Sequence, residues 1–371
     1  MRRRSLVLLL LCSLAVPTCL TAQSLGVIKP GGKEPTLSIG GLLQVQTEVG
    51  DRGDSRWAND NDRFYLRRAR LNAIGKFLEE FDFKLEMDLA GTLANTSGLR
   101  AQLTDGYVNW NRRPDANIRI GQFKAPFGFE QLYADPRLFT MERSLVNDRL
   151  TVSRQLGMQV NGDLFEKRLS YAVGAFNGNG VNNNFNDDDR FLMAGRLSGV
   201  LWQGRLGGQS ASWSLGGNAY SSEDTNIGAQ PAEFGFDSTP STPDWDNIFS
   251  GKRLGTGIDT QLQAGRFDFW AEALRTKWEP ASHKPSASFE SDGWYAQGSY
   301  YVIKDRLQVV LKAETFDPRT EADDDSTDTG TAGVNWYLKG HDLKLQVDYL
   351  RTRIENQDDQ DKILARIQVI F

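Results

Sequence analysis

Cysteine is almost absent from this 371-residue chain. The two cysteines, Cys12 and Cys19, both lie within the first 22 residues, so disulfides and thiolate chemistry are excluded for the rest. Histidine is equally scarce: His283 and His341 are the only two, and neither lies in the middle of a strand-like segment. A Ser–His pair, a zinc-ligand spacing, a phosphate loop and a dinucleotide fingerprint are missing from the sequence. We therefore expect no enzyme, no cofactor, no metal and no nucleic-acid partner.

Long apolar runs are missing as well. After the N-terminus, no segment approaches the roughly 18–20 apolar residues that a membrane-spanning helix requires. The mean hydropathy of −0.47 is ordinary for a soluble protein. It also suits a membrane β-barrel, because half of each strand in such a barrel faces water. Composition alone leaves both classes open.

The N-terminus has the pattern of a secretory signal peptide. Three arginines at positions 2–4 precede a largely apolar run at 6–14, and small residues follow up to Ala22. We expect cleavage after Ala22, although Leu20 departs from the usual small residue at its position. Removing residues 1–22 takes away three arginines and no acids, so the formal charge goes from −5 to −8.

The last ten residues alternate between two faces. One face is formed by Ile363, Ala365, Ile367, Val369 and Phe371, and the other carries Arg366 and Gln368. A period of two is the geometry of a β-strand. A final strand that is apolar outside and ends in an aromatic residue is typical of an outer-membrane barrel, although a soluble sandwich strand would also alternate. We expect Phe371 to be needed for membrane assembly by the barrel-assembly machinery.

Strand-like segments recur along the rest of the chain, with no convincing amphipathic helix. Each is close to the roughly 9–11 residues that cross a bilayer at a tilt. The sixteen segments are 36–48, 64–75, 80–90, 102–111, 116–124, 152–162, 168–177, 190–200, 211–221, 255–264, 266–276, 293–303, 306–316, 330–338, 341–351 and 362–371. This number predicts an all-β, sixteen-stranded antiparallel transmembrane barrel.

The connections between these segments alternate in length. Short links, for example 112–115 and 339–340, are separated by long polar links such as 125–151 and 222–254. Short periplasmic turns and long external loops are typical of outer-membrane barrels. A soluble propeller would have many strands without needing this alternation. The link at 201–210 is too long for a turn, so we expect a strand boundary there to shift.

Several stretches resemble the phosphate-selective porin family of the O and P type. They are Arg67-Arg68-Ala69-Arg70-Leu71, Gly-Gln-Phe-Lys-Ala-Pro-Phe-Gly at 121–128, Gln-Leu-Gly-Met-Gln-Val at 155–160, Gly-Val-Asn-Trp-Tyr-Leu at 333–338 and the terminal strand. The resemblance implies a homotrimeric outer-membrane porin that passes inorganic anions such as phosphate. It also implies basic residues along the pore and a constriction formed by an inward-folded third external loop, which would be 125–151.

Strand parity provides candidate pore residues. Arg68 and Arg70 share the lumen face of their strand, because a basic residue on the lipid face near the midplane costs roughly 2–4 kcal/mol. Arg119 also points inward, and Asp105 lies on the lumen face where it could orient a base across the pore. Arg67 has the parity of the lipid face, so we expect it near the external end of its strand.

The loop at 125–151 provides three more candidates. An inward fold would bring Lys124, Arg137 and Arg143 to the narrow part of the pore. Glu130, Asp135 and Glu142 lie in the same loop. The alternative is that salt bridges with these acids lock the loop against the wall and leave little free charge. Further acids occur on the inward face at Asp82, Glu86 and Asp88 and in the loops at 187–189 and 323–325.

The sequence thus predicts a signal peptide at 1–22, a periplasmic N-terminal segment at 23–35 and a barrel at 36–371. We expect an outer-membrane porin for passive diffusion of small hydrophilic solutes, favouring anions such as phosphate. The abundant acids keep a non-selective or weakly cation-preferring porin as the alternative, and an adhesion or envelope-anchoring barrel as a third. Expected partners are inorganic anions, outer-membrane lipid, lipopolysaccharide and two further copies of the chain.

Overall fold

Sixteen antiparallel strands close into one barrel, which confirms the predicted fold class. The computed structural model describes residues 36–371 except 58–61, 91–100, 226, 228–233, 235–248, 282–286, 324 and 356. The expected signal peptide at 1–22, the segment at 23–35, His283 and most of the predicted loop at 222–254 lie outside the described residues.

Each strand pairs with its neighbours in the sequence, and the first also pairs with the last. The strands are β1 (Thr36–Gly50), β2 (Arg63–Phe77), β3 (Phe81–Asp88), β4 (Gln102–Arg113), β5 (Ala116–Lys124), β6 (Arg154–Leu164), β7 (Leu169–Phe176), β8 (Leu192–Leu206), β9 (Gln209–Asp224), β10 (Gly251–Ala264), β11 (Phe267–Pro280), β12 (Phe289–Ile303), β13 (Leu307–Asp317), β14 (Thr327–Lys339), β15 (Leu343–Ile354) and β16 (Gln360–Ile370). The closing seam runs from Leu42 opposite Ile370 to Gly50 opposite Lys362. Closure removes the free edges that an open sheet would expose.

The barrel wall is apolar outside and polar inside, which is the reverse of a soluble protein. On β15, Val347 and Tyr349 are 49% and 40% exposed, whereas Gln346 and Asp348 are 2% and 1% exposed. The apolar residues therefore face outward, where lipid lies in a membrane barrel, and the polar residues face the interior. Among the described residues, no helix is long and apolar enough to cross a membrane.

Long and short connections alternate between the strands, as the sequence predicts. The strand boundary expected to shift at 201–210 does so. β8 continues to Leu206, and the turn to β9 consists of Gly207 and Gly208 alone. Both have positive φ, 55° and 79°, which glycine adopts without steric cost.

Candidate functional site in the barrel interior

The long connection between β5 and β6 contacts inward-facing side chains far across the barrel. This segment, residues 125–153, contains the short helices α1 (Phe129–Leu132) and α2 (Leu145–Leu150) and a 3-10 turn at Asp135–Arg137. The backbone amides of Phe129 and Glu130 donate to Glu272 on β11, at 2.5 and 3.1 Å. The amide of Met141 donates to Asp348 on β15, at 2.7 Å. These bonds satisfy backbone groups that burial would otherwise leave without partners.

Aromatic packing fixes the same segment against the wall. Phe127 contacts Tyr220 of β9 edge-on, with ring centroids 4.7 Å apart. The Trp270 ring of β11 contacts Phe129 edge-on, with centroids 5.2 Å apart, and stacks on Phe139, with centroids 4.0 Å apart. All five rings are buried, and burying one such side chain contributes about 1.5–3 kcal/mol. These contacts give the segment a hydrophobic core of its own against the wall.

Glu142 joins this segment to β2 and β16. It accepts two hydrogen bonds of 2.9 Å from Arg67 and a further bond from Arg366. Burial would raise the pKa of Glu142, but the guanidinium groups of Arg67, Arg366 and Arg68 outweigh burial and hold the pKa below its ordinary value. The carboxylate is therefore charged and binds the loop to two strands on either side of β1.

Arg67 has the parity of the lipid face but does not face lipid, because its guanidinium bonds Glu142. Its expected place toward the external end of the strand is not contradicted, since it is the fifth residue of β2. Gln44 of β1 pairs with Arg68, but the next residue, Val45, pairs with Leu66. Arg67 is therefore the extra residue of a β-bulge, which turns it to the same face as Arg68. Parity correctly predicts the inward direction of Arg68, which is 4% exposed.

Asp135 is the centre of a second ionic cluster. It lies 2.5 Å from Arg70, 2.5 Å from Arg143 and 3.5 Å from Arg68. Arg143 also donates to the carbonyls of Glu130 and Tyr133, at 2.9 and 3.0 Å. Burial would raise the pKa of Asp135, but the surrounding arginines hold it well below the ordinary range. Three of the predicted pore bases thus share one carboxylate, as the salt-bridge alternative expects.

Asp105 of β4 links the neighbouring strand β3 to β6. Its carboxylate lies 2.7 Å from Lys84 and 2.7 Å from Arg154. Sequence reasoning missed Arg154, which pairs directly with Lys124 across the β5–β6 ladder. It also missed Arg56, which bonds Asp54 and Glu314 at 2.5 Å each, and no local pattern indicates that contact.

Three predicted cations have no carboxylate within ion-pair distance in the described part of the chain. Arg119 donates to the side chain of Asn109 at 3.1 Å and lies over the Tyr107 ring, 4.4 Å from its centroid. Lys124 donates to the carbonyls of Gln131 and Tyr133 rather than to an acid. Arg137 is exposed at the end of the 3-10 turn.

Two cavities flank the loop residues 132–139. The first, which we call the basic cavity, has a volume of about 600 Å3 and lies against β2 to β8. It is lined by six basic and four acidic side chains: Arg70, Lys84, Arg119, Lys124, Arg154 and Arg196 with Glu86, Asp105, Asp135 and Asp163. The second, the aromatic cavity, has about 410 Å3 and is bounded by Tyr133, Arg137, Phe139, Trp270, Tyr301 and Tyr337. No group of acids, histidines or cysteines among the described residues is arranged to hold a metal ion.

Comparison with known proteins agrees with this architecture. Porin O of Pseudomonas aeruginosa is 23% identical over 413 residues, which cover 91% of this chain and 89% of that protein. The anion-selective porin from Comamonas acidovorans aligns with a TM-score of 0.58 at 13% identity, over 91% of this chain and 100% of the other. The trimer form of OmpT, an outer membrane protein of Vibrio cholerae, aligns with a TM-score of 0.59 at 8% identity, over 91% and 100%. At such identities the two structures establish the shared fold.

The family model of the phosphate-selective porins O and P matches residues 39–371, which is nearly the entire barrel. The closed sixteen-stranded wall, the apolar exterior and the charged interior are those of a channel across an outer membrane. The chain belongs to the phosphate-selective porin O and P family and is an outer-membrane porin.

Proposed function

We propose that this porin passes small hydrophilic solutes by passive diffusion, without catalysis, and modestly prefers inorganic anions such as phosphate. The segment 125–153 narrows the pore from within, and the working form is a homotrimer in contact with outer-membrane lipid and lipopolysaccharide. Membership of the phosphate-selective porin O and P family supports the anion part of this proposal, and the fold shared with the trimer form of OmpT supports the trimer part.

The observation that carries the anion preference is an imbalance of pairing in the basic cavity. Of the four acids that line the cavity, Glu86, Asp105 and Asp135 have basic partners within 4.0 Å, and Asp163 accepts a hydrogen bond from Ser170 at 2.6 Å instead. Arg119 and Lys124 have no carboxylate partner among the described residues. A pore lined by uncompensated cations lowers the entry barrier for an anion, provided that binding stays weak enough for release. Because the other bases are paired, the expected preference is modest.

The loop contacts support a constriction at residues 125–153. The segment contacts β11 through Glu272 and β15 through Asp348, which lie on distant parts of the wall, and this supports a path across the interior. Its residues border both cavities. A solute crossing the barrel would pass between this segment and the wall that carries Arg119.

The test is the reversal potential of the purified protein in a salt gradient across a planar bilayer. Wild-type channels should prefer chloride over potassium at low salt and should pass phosphate. Lys124→Glu should shift the reversal potential toward cations. A matched change on an exposed short turn, Lys167→Glu, should have little effect.

The alternative function is a general porin with no ion preference or a weak preference for cations. It is favoured by the pairing of most cavity bases, since Arg70, Lys84, Arg154 and Arg196 all contact carboxylates. Cation preference in the wild type, with no response to Lys124→Glu, would establish it. Absence of an open pore would instead favour an adhesion or anchoring role.

A further inference from the structure

The aromatic cavity differs in chemistry from the rest of the interior. Inward faces of porin strands are usually polar, because they line a water-filled space. Here six ring-bearing side chains border one cavity: Tyr133, Phe139, Trp270, Tyr301, Tyr337 and His341. The cavity lies beside the short turns at 265–266, 304–306 and 340–342. Its volume of about 410 Å3 is within the roughly 300–1,000 Å3 of small-molecule sites.

The rings are held in place by one another. Trp270 is fixed between Phe139, stacked at 4.0 Å, and Tyr133, edge-on at 4.5 Å. Tyr337 contacts Tyr301 at 5.8 Å and donates its hydroxyl to Gln308 at 2.6 Å. Tyr133 and Tyr301 are only half-buried, so ring surface remains available on two sides of the cavity. Such preformed aromatic surfaces favour a flat aromatic ligand in offset or edge-to-face contact.

The charges around the rings favour an anion. Arg137, Arg266 and Lys304 line the cavity, as do Asp268 and Asp305, so the bases exceed the acids by one. Arg137 has no carboxylate within ion-pair distance among the described residues. A guanidinium with free donors suits a carboxylate, which it can bind through two parallel hydrogen bonds.

His341 adds no charge at neutral pH. Burial and the nearby Lys344 lower the pKa of His341 to about 4, although its bond to the carbonyl of Pro136 acts in the opposite direction. The ring therefore contributes aromatic surface.

We propose that the aromatic cavity is a binding site for small aromatic carboxylates, with the ring against Tyr133 and Tyr301 and the carboxylate at Arg137. This inference does not depend on the ion preference of the channel, because it concerns binding at a different cavity. Small aromatic acids would then bind in this cavity while they cross the porin.

Equilibrium binding to the detergent-folded full chain tests the proposal, with saturation-transfer NMR titrations of three probes. Benzoate has the ring and the charge, cyclohexanecarboxylate has the charge without the π-system, and benzylamine has the ring with the opposite charge. Benzoate should bind about fivefold more tightly than cyclohexanecarboxylate, because aromatic contacts add to burial. Benzylamine should bind most weakly, because the bases outnumber the acids.

Variants then locate the site. Tyr301→Leu should bring the benzoate to cyclohexanecarboxylate ratio close to one, whereas Tyr300→Leu, on the exposed outer face of the same strand, should leave it unchanged. Arg137→Gln should weaken binding of both carboxylates by about tenfold or more, since a hydrogen bond to a charged group is lost. Arg306→Gln, in the turn that carries Lys304, is the matched charge control.

Equal binding of benzoate and cyclohexanecarboxylate by the wild type would overturn the proposal, as would tighter binding of benzylamine. This comparison uses the unchanged protein, so it remains decisive if a variant fails to fold. A ratio that persists in Tyr301→Leu and in Tyr133→Leu would also refute the assignment to this cavity.

Discussion

Replacing Arg119 by glutamine tests whether the basic cavity controls ion preference. Arg119 has no carboxylate partner among the described residues. Glutamine removes the charge and retains a hydrogen-bond donor for Asn109, which now accepts from the guanidinium at 3.1 Å. The change also removes the contact with Tyr107, which at such a site is worth about 0.5–1 kcal/mol. The barrel should therefore still assemble.

The cavity dimensions set the expected size of the effect. A volume of about 600 Å3 corresponds to an equivalent radius of about 5 Å. Two unit charges about 5 Å apart interact by roughly 0.8 kcal/mol in bulk water, a factor of about four in anion occupancy. This is a lower bound, because the wall has a lower dielectric constant than water. At 1 M salt the Debye length of about 3 Å reduces the interaction to roughly 0.2 kcal/mol.

The assay is the reversal potential in potassium chloride gradients, measured once at low and once at high salt. Arg119→Gln should reduce the chloride preference at low salt, and the difference from the wild type should nearly vanish at 1 M. Arg205→Gln, close to the Gly207–Gly208 turn, is the matched control. A reversal potential that is unchanged by Arg119→Gln at low salt would show that this cavity does not set the ion preference.

Four further predictions concern assembly and the loop. Leu197 lies on the outer face of β8, so Leu197→Lys should lower the free energy of unfolding by about 2–4 kcal/mol. Ser198 lines the basic cavity, so Ser198→Lys should be tolerated. Urea titrations of both variants measure the difference. Glu142→Gln should destabilise the loop by up to about 3–5 kcal/mol, because it leaves buried arginines without their charged partner. The measurement is the rate of protease cleavage within 125–153, and loops that stay intact would contradict the prediction. Since the pKa of Glu142 is lowered in the folded state, wild-type loop stability should persist above the unfolded pKa of about 4.3 and fall as the pH drops toward the folded value. Deleting Phe371 should leave unassembled protein, because its amide and carbonyl bond Gly41 at the closing seam, at 3.1 and 2.8 Å; normal heat-modifiable barrels would refute this.

The strands were predictable because their pattern is local. Lipid on one side and water on the other impose a period of two, which survives in β3, β13 and β15 without knowledge of any partner strand. The same rule gives the inward direction of Arg68, Arg70 and Arg119. It fails at Arg67, because a bulge depends on how β2 pairs with β1 and leaves no mark in the alternation.

The sequence by itself determined the sixteen-stranded wall, the closing terminal strand and the set of charged residues available to the interior. Only the tertiary structure decided which charges remain free. Asp135 forms ion pairs with Arg68, Arg70 and Arg143. Arg119 has no acid partner among the described residues. An irregular loop has no period from which its path can be read. Its course is set by bonds to Glu272 and Asp348, which lie far away in the sequence and become neighbours only when the barrel closes.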